Sequence, residues 1–199
     1  MRHPSASKAL KITNAYGATP LHISVANTIV SIETIQLFGT LDSAMAKDGL
    51  RRTPLHVAAQ NAHVSTEVIK SLVEMNPLAC NTQSDGGYLP MHLAVHSKAR
   101  LEIVKELHES FPSGLERESL LGEVPLHKAA TNNAPANVVK FLLKDYVGAI
   151  YKQNQLGDLP LHCAMSSAAS VEIIRMLVQV SSMLLLCFSV PYLHLTCQF

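Results

Sequence analysis

Ten histidines and four cysteines are the side chains of this sequence best suited to chemistry, and their spacing decides what they can do. Five of the histidines recur at a regular interval, each closing a Pro-Leu/Met-His triplet: His22, His56, His92, His127 and His162. Their prolines, Pro20, Pro54, Pro90, Pro125 and Pro160, follow one another at steps of 34, 36, 35 and 35 residues. An imidazole titrates near neutral pH and serves as general base or metal ligand. Side chains repeated on five separate units, however, cannot converge on one reaction centre. A recurring histidine implies a recurring local role, so these ten residues are read as structural.

The remaining candidates are weaker. His92 and His96 lie four apart and share a helix face, but the zinc motif H-E-x-x-H needs glutamate where Leu93 stands. The cysteines Cys80, Cys163, Cys187 and Cys197 contain no C-x-x-C pair, so neither a zinc site nor a disulfide framework is expected. Cys163 follows His162 directly, yet it falls in a run of small residues and reads as an apolar filler. Glu106, Glu109, Glu116, Glu118 and Glu123 read as a solvated face. No nucleophile elbow, P-loop or dinucleotide fingerprint occurs. The expectation is a non-enzymatic protein with no catalytic residue, metal, cofactor or small-molecule substrate.

Composition narrows the partners. Lys and Arg number 16 against 15 Asp and Glu in 199 residues, a net charge of +1, which removes the electrostatic case for nucleic acid. Tryptophan is absent and aromatics are 5%, which argues against base-stacking platforms. A hydrophobic fraction of 48% rules out wholesale disorder. Residues 1–8 carry no apolar stretch of the secretory kind. An intracellular protein, cytoplasmic or nuclear, with reduced thiols is therefore expected.

The elements that hold the histidines repeat with them. Glycine stands three places before the proline in four units, at Gly17, Gly87, Gly122 and Gly157, and Arg51 replaces it in the second. Proline at a first helical position costs nothing, because its missing N–H is unpaired there anyway. Thr19 and Thr53 sit where an N-cap belongs. Small residues such as Ala58-Ala59 and Ala129-Ala130 keep this first helix thin. A second apolar stripe follows, as in Val68-Ile69 with Leu72-Val73 and Val138-Val139 with Leu142-Leu143, at helical spacing. Polar turn segments such as 81–87 and 153–157 complete the period. One such unit cannot bury its own stripe, whereas a stack can, so a solenoid is predicted.

The repeated signature, nearly whole in Gly17-Ala18-Thr19-Pro20-Leu21-His22 and in Thr53-Pro54-Leu55-His56-Val57-Ala58-Ala59, resembles that of the ankyrin repeat family. The likeness covers about residues 14–180. It implies an all-α stack of antiparallel helix pairs joined by hairpin-like loops, with first helices starting near 20, 54, 90, 125 and 160. It also implies a protein-binding role as scaffold, adaptor or inhibitor. The period exceeds the family's usual 33 residues, which predicts longer loops. Leu89, Val124 and Leu159 replace the capping threonine, and the usual Gly-His between the helices is missing.

By the family pattern, the partner-facing positions are those after the motif glycine and at the end of each first helix. They select Arg52, Gln60, Asn61, Tyr88, His96, Glu123, Thr131, Asn132 and Asp158, with Tyr88 the strongest single candidate. Residues 1–13 form a polar N-terminal segment. Residues 181–199 form an apolar tail, read as irregular, in a region where 176–199 contains no Asp, Glu, Lys or Arg. The alternatives are a membrane anchor formed by that tail, interrupted as it is by Pro191 and His194, or a fragment of a larger ankyrin protein.

Overall fold

A computed structural model describes residues 10, 12–27 and 30–189. Most of the polar N-terminal segment and residues 190–199 of the tail lie outside the described residues. Within them the chain forms eleven α-helices and no strand. The helices are α1 (Pro20–Ala26), α2 (Ile32–Phe38), α3 (Leu41–Met45), α4 (Pro54–Gln60), α5 (Thr66–Met75), α6 (Pro90–His96), α7 (Leu101–Ser110), α8 (Pro125–Thr131), α9 (Ala136–Asp145), α10 (Pro160–Ser166) and α11 (Val171–Ser189). The inner helices α1, α4, α6, α8 and α10 begin at the five motif prolines, as the sequence predicts. Each packs against its successor, and α2, α5, α7, α9 and α11 form the outer layer.

Local chemistry explains these boundaries. The Thr19 hydroxyl lies at capping distance from the His22 amide, 3.5 Å away. Ser31 and Ser65 cap α2 and α5 through the Thr34 and Val68 amides. Alanine or valine at the fifth and sixth helical positions, such as Ala58, Ala59, Ala94 and Val95, is fully buried, which lets neighbouring inner helices approach closely. The outer stripe Val68, Ile69, Leu72 and its equivalents fills the core between the layers.

The predicted extra loop length is structured instead of slack. Single 3₁₀ turns follow the outer helices at Pro77–Asn81, Pro112–Leu115 and Val147–Tyr151. They bury Ala79 and Cys80, Leu115, and Ala149 and Ile150 respectively, so the added residues enlarge the core. The missing Gly-His also has a structural consequence. Lys98, Asn133 and Ala168 occupy left-handed backbone at φ of 52 to 59° after α6, α8 and α10. There the Ala99, Ala134 and Ala169 amides close the helix by donating to the Ala94, Ala129 and Ala164 carbonyls.

Hairpin loops join the units edge to edge. The Gly49 amide donates to Tyr16 O, Asp85 to Leu50 O, Leu120 to Gly86 O and Gln155 to Leu121 O, all within 3.0 Å. At each tip the motif glycine is left-handed, with φ of 71 to 81° at Gly17, Gly87, Gly122 and Gly157. Arg51 adopts the same conformation at φ 56° without glycine's freedom.

The last helix runs into the segment that the sequence suggested was irregular. Residues 181–189 continue α11 without interruption, because nothing between Val171 and Ser189 breaks a helix and Pro191 comes only afterwards. Among the described residues no helix is long and apolar enough to cross a membrane.

A Cβ at Gly87 would stand 2.5 Å from the Leu120 amide nitrogen, whereas one at Gly157 would meet nothing within 4 Å. Gly157→Ala should therefore cost only the left-handed penalty, about 1 kcal/mol. Gly87→Ala should cost on the order of 3 kcal/mol, because the joint to the next loop must also open. Urea denaturation compares the two, and equal losses would contradict the edge-to-edge packing of the loops.

Candidate functional site

The motif histidines are the first candidates, and the structure gives both nitrogens of the inner four a backbone partner. Nδ1 accepts the amide N–H three residues earlier, at 3.1 to 3.2 Å from Thr19, Thr53, Leu89 and Val124. That assigns the proton to Nε2, which donates to the next loop: His22 to Arg52 O, His56 to Tyr88 O, His92 to Glu123 O and His127 to Asp158 O, at 2.9 to 3.1 Å. Where threonine remains, its hydroxyl adds a 2.8 Å contact to Nδ1. Where Leu89 or Val124 replaces it, the backbone bond persists. His92 therefore has no lone pair to share with His96 in holding a metal.

Burial keeps these imidazoles neutral. It lowers His22 and His127 below the ordinary value and pushes His56 and His92 down to about 4, against a weaker opposing pull from the backbone carbonyls. Burial likewise raises the Cys163 thiol and pushes Cys80 up to about 11, so neither is a thiolate nucleophile at neutral pH.

The predicted partner-facing residues divide by what they touch. Asn61 Nδ2 donates to Val25 O and Asn27 O, which ties the second unit to the first. Thr131 Oγ1 and Asn132 Nδ2 donate to carbonyls of their own helix α8. Asp158 receives His127 on its carbonyl and lies half-buried beside the fifth loop. Gln60 and His96 are exposed at the ends of α4 and α6, and burial lowers the His96 pKa.

Arg52, Gln60, Tyr88 and Glu123 form connected groups on the inner face. Arg52 donates through Nε and Nη2 to Asp48 Oδ2 at 2.9 and 2.8 Å, and through Nη1 to Gln60 Oε1 at 3.1 Å. Burial works against the Asp48 charge, but the Arg52 side chain with the Arg52 and Leu50 amides outweighs it and holds the carboxyl below the usual range. The next group centres on Tyr88. Lys128 Nζ sits 4.8 Å above its ring and 2.7 Å from Glu123 Oε2, while the Tyr88 hydroxyl donates to the same oxygen at 3.3 Å. Burial opposes the Lys128 charge, yet its bond to Glu123 and that carboxylate's charge raise its pKa above the ordinary lysine value. Glu123 is buried and Tyr88 half-buried, which leaves Gln60 and His96 as the exposed candidates on this face.

Two adjoining hollows flank this group, of ≈ 240 and ≈ 220 Å³, and Gln60, Tyr88 and Leu93 line both. Lys128 and Leu93 were not among the predicted residues. Both occupy the fourth position of an inner helix, which reads Ile23, Val57, Leu93, Lys128 and Cys163 along the chain. That variation, at a position never fully buried, is the sequence signal that would have singled out these two residues.

Paired helices stacked through a periodic loop hydrogen bond, with a variable inner face, define a helical-repeat solenoid of the protein-interaction class. A family model described as ankyrin repeats (three copies) matches residues 32–116 and again 91–183. These spans cover well over half of the chain, which belongs to the ankyrin repeat family. No curated protein matches the chain.

The neutral histidines give stability a pH dependence of definite sign. Folding holds His56 and His92 near 4 against 6.5 for the free imidazole, so between those values the unfolded chain binds more protons. Stability is complete above the unfolded pKa and falls as pH drops through the window, with these two residues contributing up to about 3 kcal/mol per pH unit near pH 5. Urea midpoints taken on either side of the window should fall on acidification. A midpoint that holds or rises would contradict the neutral, buried state.

Proposed function

We propose that the chain is a non-enzymatic interaction module, a scaffold, adaptor or inhibitor, that binds a protein partner along the inner face between Arg52 and Asp158. Ankyrin repeats are in general protein–protein interaction modules. The observation that carries the finer reading is the placement of Tyr88. Its ring is held by the Lys128 ammonium on one face, its hydroxyl by Glu123, and it forms the shared wall of two hollows. A tyrosine fixed before binding offers large contact area with little ordering left to do.

Gln60 and His96 flank Tyr88 as adaptable polar contacts, and Arg52, Thr131, Asn132 and Asp158 extend the surface to either side. Free thiols at Cys80 and Cys163 support a location inside the cell, in cytoplasm or nucleus.

Affinity capture from cells of the source organism tests this reading. Tyr88→Ala should reduce retention of a specific protein at least tenfold with the helical circular dichroism unchanged, and Tyr88→Phe, which keeps the ring, should reduce it far less. Identical capture by the wild type and Tyr88→Ala would refute the central face as the binding site.

A further inference from the structure

Burial differs between the two ends of the array at equivalent positions. The sixth residue of the inner helix is Val25, Ala59, Val95 and Ala130 in the first four units, all 0–1% exposed, but Met165 in the fifth is 62% exposed. Val73 and Leu143 on the outer helices are 6% exposed, and their equivalent Val178 is 46% exposed. His162 is exposed where its four equivalents are buried. These are the positions that a following unit covers.

The opposite end shows the reverse. Leu72, Leu107, Leu142 and Leu177 are buried, and their equivalent in the first unit, Phe38, is only half-buried. Ser24 is half-buried where Ala58, Ala94, Ala129 and Ala164 are fully covered. Phe38, Ser24 and Pro20 line an open groove of ≈ 720 Å³. These are the positions that a preceding unit covers.

Hydrogen bonds carry the same complementarity. Each inner joint has a motif-histidine Nε2 donating to the next loop and a loop amide donating back, as His127 does to Asp158 O and the Gln155 amide to Leu121 O. In the fifth unit the corresponding donor is His162 Nε2, whose Nδ1 already accepts the Leu159 amide, and the corresponding acceptor is Leu156 O. In the first unit the corresponding acceptor is Ala18 O and the donor is the Ala15 amide. Among the described residues none of these four groups has a neighbouring unit to meet.

We propose that copies of this chain associate head to tail, the fifth unit of one stacking on the first unit of the next in the geometry of the inner joints. The occupant is a second copy because both halves of one joint are present on this chain: apolar Met165 and Val178 against the groove beside Phe38, His162 Nε2 against Ala18 O, and the Ala15 amide against Leu156 O. Such an interface is heterologous and grows open-ended. It does not involve the inner face around Tyr88, so either proposal can fail without the other.

Sedimentation velocity of the full chain tests it, with Met165→Glu blocking the tail and Ser24→Glu blocking the head, both at positions exposed or half-exposed in the single chain. The wild type should pass beyond the dimer mass as concentration rises. Each variant alone should remain monomeric with unchanged circular dichroism, and an equimolar mixture of the two should form a species of twice the monomer mass and none larger, because one intact head meets one intact tail. A wild type that stays monomeric at every concentration would overturn the proposal. So would a dimer that Met165→Glu abolishes and Ser24→Glu leaves intact, which is tail-to-tail pairing, or association that neither variant affects.

Discussion

The stack depends on one hydrogen-bond bridge, repeated four times, in which a buried neutral imidazole links the start of its own inner helix to the loop of the next unit. Nδ1 accepts an amide N–H that the helix start would otherwise leave unpaired, and Nε2 donates to a loop carbonyl about thirty residues further on. No other neutral side chain offers one acceptor and one donor on opposite edges of a rigid ring. Protonation destroys the acceptor, so the bridge exists only in the neutral form that burial enforces. Loops held at this spacing form their own edge-to-edge bonds, and the spacing in turn requires the small residues of the inner helices.

A frame fixed in this way leaves other positions free to vary. The residue after the motif glycine and the fourth residue of each inner helix take no part in the bridge, and there the chain places Arg52, Tyr88, Glu123, Leu93 and Lys128. The ion pair between Glu123 and Lys128 spans a loop and the helix it introduces, and it locks an aromatic ring belonging to the preceding unit. That surface is already ordered by folding. Among the described residues, the first and fifth units expose apolar side chains at positions that the inner units bury, such as Phe38 and Met165.

Much of this was legible in the sequence because the bridge leaves a fixed signature. A proline at the first helical position and a histidine two residues on mark every inner helix to the residue, and the outer stripes announce their partners by helical spacing. The 3₁₀ turns were not legible, because segments as short as Pro112–Leu115 have no periodicity and owe their shape to burial of Leu115. Lys98, Asn133 and Ala168 gave no sign of left-handed backbone, a conformation that glycine usually advertises. Of the candidate site, Tyr88 and Gln60 were singled out from the repeat pattern and line the hollows, whereas the fixing of Tyr88 by Lys128 joins residues forty positions apart and is visible only in the fold. The bond from Asn61 to the preceding unit likewise joins distant residues and is visible only in the fold.

The most direct test of the bridge is the tautomer and charge of the histidines, read from long-range proton–nitrogen correlation spectra of the imidazoles in mildly acidic solution. His22, His56, His92 and His127 should all appear neutral with the proton on Nε2, while the unfolded chain in urea titrates near 6.5. Imidazolium signals from these four in the folded protein, or a proton on Nδ1, would contradict the account.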